Sequence, residues 1–166
     1  LTESQLNSAY SQYGVSHSYD VLGLREESID AQGNKTWYFY DAMGRQTYTV
    51  RGTAQDNNVA TGALNAYGEV TETRYDAFGG VRDSIAYTGK IQIPVPGSRA
   101  SAAGVISTLM FSASVDNKHS VTFTSRGQVA TRTDAVGTQS NFTYNAFGEM
   151  IQQISAYGTA SQMSQG

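Results

Sequence analysis

The chain has no cysteine among its 166 residues, which removes a disulfide frame and every thiolate metal site from consideration. Histidine is almost as scarce. His17 and His119 are the two present, far apart in sequence, and they read as exposed or hydrogen-bonded residues, so neither a metal nor a cofactor is expected. Charge is sparse as well: 15% of residues are charged, with 11 Lys and Arg against 14 Asp and Glu and a net charge of −3. No stretch concentrates the cations, and neutralising phosphates needs a basic stripe, so nucleic-acid binding is disfavoured. No apolar run approaches the roughly 20 residues that span a bilayer, and no signal-peptide pattern opens the chain. What it has instead is glycine and tyrosine, 17 and 11 residues respectively.

Those residues fall into a phrase used three times. Asp30-Ala-Gln-Gly33 runs on to Tyr40-Asp41-Ala-Met-Gly44, Asn65-Ala-Tyr-Gly68 to Tyr75-Asp76-Ala-Phe-Gly79, and Asp134-Ala-Val-Gly137 to Tyr144-Asn145-Ala-Phe-Gly148. In each copy the two glycines are eleven residues apart and an aromatic precedes the second Asp or Asn. Asp or Asn at the first position with Gly at the fourth is the preference of a type I turn, the Gly taking the left-handed conformation that closes a hairpin with a bulge. Turn, strand, turn, strand predicts an all-β fold, an antiparallel meander of hairpins. Weaker copies at Tyr19-Asp20-Val-Leu-Gly23 and Phe123-Thr-Ser-Arg-Gly127 extend the rhythm. A chain that repeats one supersecondary unit builds by stacking copies, which points to a scaffold.

Alternation gives each strand two faces. One carries Thr36, Tyr38 and Tyr40, then Thr71, Thr73 and Tyr75, then Ser140, Phe142 and Tyr144. The tyrosines on it are expected to pack in a row between hairpins. The other carries Lys35, Trp37 and Phe39, but Val70, Glu72 and Arg74 in the second copy and Gln139, Asn141 and Thr143 in the third. That face is polar in two copies and is expected to meet water or a lumen.

The phrase divides the chain into a lead-in or degenerate repeat at 1–18, repeats at 19–87, an interruption at 88–119, repeats at 120–158 and a polar tail at 159–166. At the amino end Thr2-Glu-Ser-Gln5 resembles a capping box, with Leu6, Ala9, Tyr10 and Tyr13 at helical spacing. The aromatic-to-glycine spacing of Tyr10 to Gly14 matches that of Tyr40 to Gly44 and favours a degenerate repeat strand there. In the interruption, Ile91, Ile93 and Val95 alternate beside Pro94 and Pro96, as in an edge strand. Ser98 to Gly104 reads as a small-residue loop and Val105 to Phe111 as a strand, together an inserted hairpin. The chain opens on Leu1 and closes on the polar run Ser161–Gly166, and it is expected to be a piece of a longer protein.

Chemistry finds little purchase. Asp30, Asp41, Asp76 and Asp134 each open a turn, where the backbone uses the carboxylate, and Asn65 and Asn145 fill equivalent positions. Exchange of Asp for Asn suits a turn and defeats a general acid. No nucleophile elbow is present, so no catalytic residue is assigned and no enzyme is expected. Trp37 and Phe39 could stack on sugar rings as aromatic platforms do. Against that stands the simpler reading, that aromatics pack repeat on repeat.

Tyr40-Asp41-Ala-Met-Gly44-Arg45, Tyr75-Asp76-Ala-Phe-Gly79 and the preceding Asp-x-x-Gly turns resemble the YD repeats of Rhs-type proteins, known from bacterial polymorphic toxins, the B and C components of Tc toxins, and teneurins. Gly80 and Glu149 depart from the pattern where the first copy has Arg45, and Asn145 replaces Asp. The resemblance implies hairpins wound into a spiral sheet that closes as a hollow shell around a toxic carboxy-terminal segment, with further YD repeats and that segment as partners in a secreted or cell-surface parent. It implies a structural role, with carbohydrate or cell-surface binding as the alternative. A few turns of such a spiral would leave open sheet edges, so self-association is expected. The Pro- and Gly-rich self-cleavage motif that follows the repeats in many bacterial members has no match, since proline is confined to Pro94 and Pro96.

Overall fold

Tight turns of one kind, seven among the described residues, set the architecture, because each reverses the chain after a strand of ordinary length. The computed structural model describes residues 2–52, 67–89, 91–93 and 98–156. Eleven strands follow: β1 (Ser16–Tyr19), β2 (Arg25–Ile29), β3 (Lys35–Tyr40), β4 (Gln46–Gly52), β5 (Tyr67–Tyr75), β6 (Val81–Ala86), β7 (Ile91–Gln92), β8 (Asn117–Phe123), β9 (Val129–Thr133), β10 (Gln139–Tyr144) and β11 (Met150–Ala156), with helices α1 (Glu3–Tyr13) and α2 (Arg99–Ile106). The strands form an open antiparallel meander in chain order, except that β7 pairs β5 off the main path. The all-β expectation holds.

Register repeats along with the turns. Pairing slips at Ser18/Tyr19, Phe39/Tyr40, Thr122/Phe123 and Thr143/Tyr144. In each of these four hairpins the slip falls on the aromatic residue before the turn. A bulge there absorbs the extra residue of the turn and adds right-handed twist.

The chain divides into two compact units, residues 1–71 with 87–111 and residues 72–86 with 112–166. In the first unit Trp37, Val50, Val70, Tyr87, Ile93 and Ala102 are buried. In the second, Ile85 is buried together with the carboxylates of Glu72 and Asp83, while β11 is exposed along nearly its whole length.

Three expectations are corrected. The amino end is a helix, not a degenerate strand: Thr2 Oγ1 accepts the Gln5 N–H at 3.3 Å and Gln5 Oε1 accepts the Thr2 N–H at 2.9 Å, so a complete capping box outweighs the aromatic spacing. Residues Ser98 to Gly104 are not a loop, nor does Val105 open a strand; Ser98 caps α2 through its side chain at 3.2 Å from Ser101 N, and a run of alanines then favours helix. Lastly, the face assigned to water is buried in the first two copies, where Trp37, Val70 and Glu72 are 0%, 2% and 6% exposed, while in the third Gln139 and Asn141 are half-buried and Thr143 is exposed. Pro94, Val95 and Pro96 lie outside the described residues.

Candidate functional site

The recurring structural site is the turn itself. In the turns opened by Asp20, Asp30, Asp41, Asp76, Thr124, Asp134 and Asn145, one side-chain oxygen accepts the backbone N–H groups of the second and fourth residues onward. The opening residue's N–H then donates to the carbonyl four residues on, and the closing glycine's N–H donates back to the opening carbonyl. Gly33, Gly44, Gly79, Gly137 and Gly148 all have φ between 75° and 89°, a region that costs an L side chain about 1–2 kcal/mol.

The signature tyrosine locks the same unit from outside the turn. Tyr40 donates its hydroxyl to the Arg25 carbonyl at 2.9 Å, and Tyr144 donates to the Val129 carbonyl at 2.9 Å. Both acceptors lie fifteen residues back, at the first residue of the preceding strand. In these two copies the signature tyrosine makes a phenol-to-backbone bond that fixes strand to strand. Burial pushes the Tyr40 phenol up from its usual range, partly offset by Arg25. Tyr75, in the second copy, is half-buried.

The fifth position of the turn carries a compensation that spacing alone conceals. Asn34 Nδ2 donates to Asp30 Oδ2 at 2.6 Å, and Arg45 Nε to Asp41 Oδ2 at 2.7 Å. In the last copy the roles are reversed: Asn145 Nδ2 donates to Glu149 Oε2 at 2.7 Å. The two departures, Asn145 and Glu149, are therefore one paired change. The Asn34 side chain, outweighing a small burial cost, holds the Asp30 carboxyl below the usual range. The Arg45 backbone N–H and then its guanidinium do the same for Asp41.

Two sequence expectations fail here. Gly68 is not a turn glycine: it lies within β5 opposite Ile91, and a Cβ on it would sit 2.8 Å from Val50 Cγ1 and 2.9 Å from Ile93 Cδ1. The interval to Gly79 is right, but the physical demand is close packing. Asn65 lies outside the described residues. Trp37 is no stacking platform, being fully buried with its Nε1–H donated to Glu27 Oε1 at 2.8 Å. Phe39 is half-buried, with the Arg99 guanidinium 4.8 Å from its ring centroid.

Sequence reading missed a buried carboxylate. Asp83, 5% exposed, accepts from Ser120 Oγ at 2.8 Å and Arg82 Nε at 3.0 Å, with Lys118 Nζ at 3.5 Å. Burial raises its pKa, but the bonds from Ser120 and Arg82 and the Lys118 charge outweigh it, leaving the carboxyl below the usual range. The register Asp83↔Ser120 joins residues far apart in sequence, which no local pattern reveals.

The RHS Repeat family matches residues 123–160, which include the Thr124 and Asn145 turns and the Tyr144 bond. No curated protein matches the chain. Among solved structures, TcdB2-TccC3 without its hypervariable C-terminal region aligns with TM-score 0.44 and 13% identity over 89% of this chain. TcdB2-TccC3 aligns with TM-score 0.42 and 14% identity over 86%, and the Photorhabdus luminescens Tc holotoxin pore with TM-score 0.41 and 13% identity over 86%. In each case the chain spans 8% of the matched chain. The family match thus covers one stretch of the chain, an RHS repeat at residues 123–160.

Proposed function

We propose that this chain is a wall segment of an Rhs/YD-repeat shell that encloses a toxin effector until delivery. The observation that carries the reading is the repetition of one hydrogen-bonded module through successive hairpins, from Asp20 to Asn145. A module that fixes only its neighbours extends by addition, as a wall must. In this reading the chain has no catalytic role, further repeats of the same parent are its partners, and the parent is secreted or displayed at the cell surface. Among the described residues no helix is long and apolar enough to cross a membrane.

The carbohydrate alternative loses its best residue with the burial of Trp37. The test of the shell is protease protection in the full parent protein. The segment carboxy-terminal to the repeats should survive digestion in the intact protein and be cleaved once the repeats are unfolded. Equal cleavage rates in both states would reject enclosure.

A further inference from the structure

The segment that interrupts the repeat contributes two of the buried apolar residues of the first unit, Ile93 and Ala102, each 1% exposed. Helix α2 packs against β3, the strand that carries Trp37. Its anchor is Arg99. Nη1 lies 3.1 Å from Glu26 Oε1, Nε and Nη2 each donate to the Tyr38 carbonyl at 3.3 Å, and the guanidinium stands over Phe39. That carbonyl is at a distinctive place. Residue pairing between β2 and β3 ends at Glu27↔Trp37, whereas pairing between β3 and β4 continues to Tyr40↔Gln46. Arg99 thus supplies donors to β3 just where the β2 ladder has stopped.

We propose that α2 is a strap that folds onto the sheet as a separate cooperative step, with Arg99 as its lock and Trp37, on the strand it packs against, as the apolar residue it protects. The helix has eight residues. Isolated helices below about 12–15 residues are marginal in water, so α2 depends on docking for its order. The strands beneath depend on it less, because β3 and β4 hold each other by a ladder running from Lys35↔Gly52 to Tyr40↔Gln46. The strap therefore opens without the hairpin opening, and opening uncovers Trp37 on a sheet that stays formed.

Hydrogen exchange read peptide by peptide on the full chain tests this, with acrylamide quenching of Trp37, the sole tryptophan, as a second readout. In the unaltered chain, α2 amides should exchange at least about tenfold faster than those of β3 and β4, as expected of a sub-global opening. Arg99→Ala should widen that gap and raise quenching while β3 and β4 keep their protection. Arg99→Lys, which keeps the charge beside Glu26 but lacks the planar fork, should fall between. Equal protection of α2 and β3–β4 in the unaltered chain overturns the proposal, since strap and sheet are then one unit. Unchanged α2 exchange in Arg99→Ala removes Arg99 as the lock and overturns it equally.

Discussion

Tyr40 donates its hydroxyl to the backbone carbonyl of Arg25, fifteen residues earlier, across 2.9 Å. Tyr144 and Val129 repeat the bond at the same separation and distance. One side chain therefore ties the end of the strand leaving a turn to the start of the strand that enters the same turn, so the repeat carries its own cross-link. Removing the hydroxyl by Tyr40→Phe or Tyr144→Phe should each cost about 0.5–1.5 kcal/mol, the net value of one hydrogen bond, as measured by urea unfolding. The two losses should add, since each bond belongs to a different unit and shares no partner. No change in either midpoint would deny the tyrosine its structural role.

Turn position one should tolerate amide for carboxylate but not truncation. Asp76 Oδ1 accepts two backbone N–H groups, from Phe78 and Gly80, and Asn145 does the same with an amide oxygen. Asp76→Asn should thus stay within about 0.5 kcal/mol of the parent, while Asp76→Ala, which removes both bonds, should lose about 1–3 kcal/mol. Thermal or urea unfolding distinguishes them. An Asn variant as unstable as the Ala variant would mean that charge, not hydrogen-bond geometry, decides the turn.

Acid should weaken the fold through Asp83 and Asp41. Both carboxyls lie below their usual range in the folded protein, Asp83 because bonds and charge from Ser120, Arg82 and Lys118 overcome its burial, Asp41 through Arg45. A depressed folded-state pKa gives stability that is complete above the unfolded value of about 3.9 and is lost as pH falls through the folded value. Unfolding free energy should therefore hold near neutrality and decline below about pH 4. Asp83→Asn should flatten that decline; an unaltered slope would place the acid sensitivity elsewhere.

Gly68 and Gly44 should fail for different reasons. Gly68→Ala drives a methyl to 2.8 Å from Val50 Cγ1 and 2.9 Å from Ile93 Cδ1, overpacking worth about 1–3 kcal/mol. Gly44→Ala meets nothing nearer than Leu24 at 3.8 Å but must hold φ near 75°, a strain of about 1–2 kcal/mol. Val50→Ala should rescue part of the first loss and none of the second. A rescue of both, or of neither, would refute the separation.

The outer strands should recruit partners. All four residues of β1 are exposed, and β11 leaves Met150, Ile151 and Ile154 at 52–62% exposure. Strand edges of this kind template further pairing. Light scattering across a concentration series should show reversible association, reduced by Ile154→Lys on the exposed strand. A monodisperse monomer at high concentration would count against it.

Sequence spacing was enough for the turns, because Asp or Asn, a left-handed Gly and the preceding aromatic act within a few residues of one another. Hairpins and an antiparallel meander follow from that local rule. The same spacing misplaced Gly68, whose interval to Gly79 mimics a turn while its need is room for Val50 and Ile93. Likewise the small residues 98–104 looked like a loop until Ser98 capped them as a helix. Which sheet face is buried, where Arg99 reaches, and that Asp83 meets Ser120 are settled by contacts between segments distant in the chain. Alternation divides a strand into two faces with equal force in either direction; only the segment that lands on one of them removes that face from water.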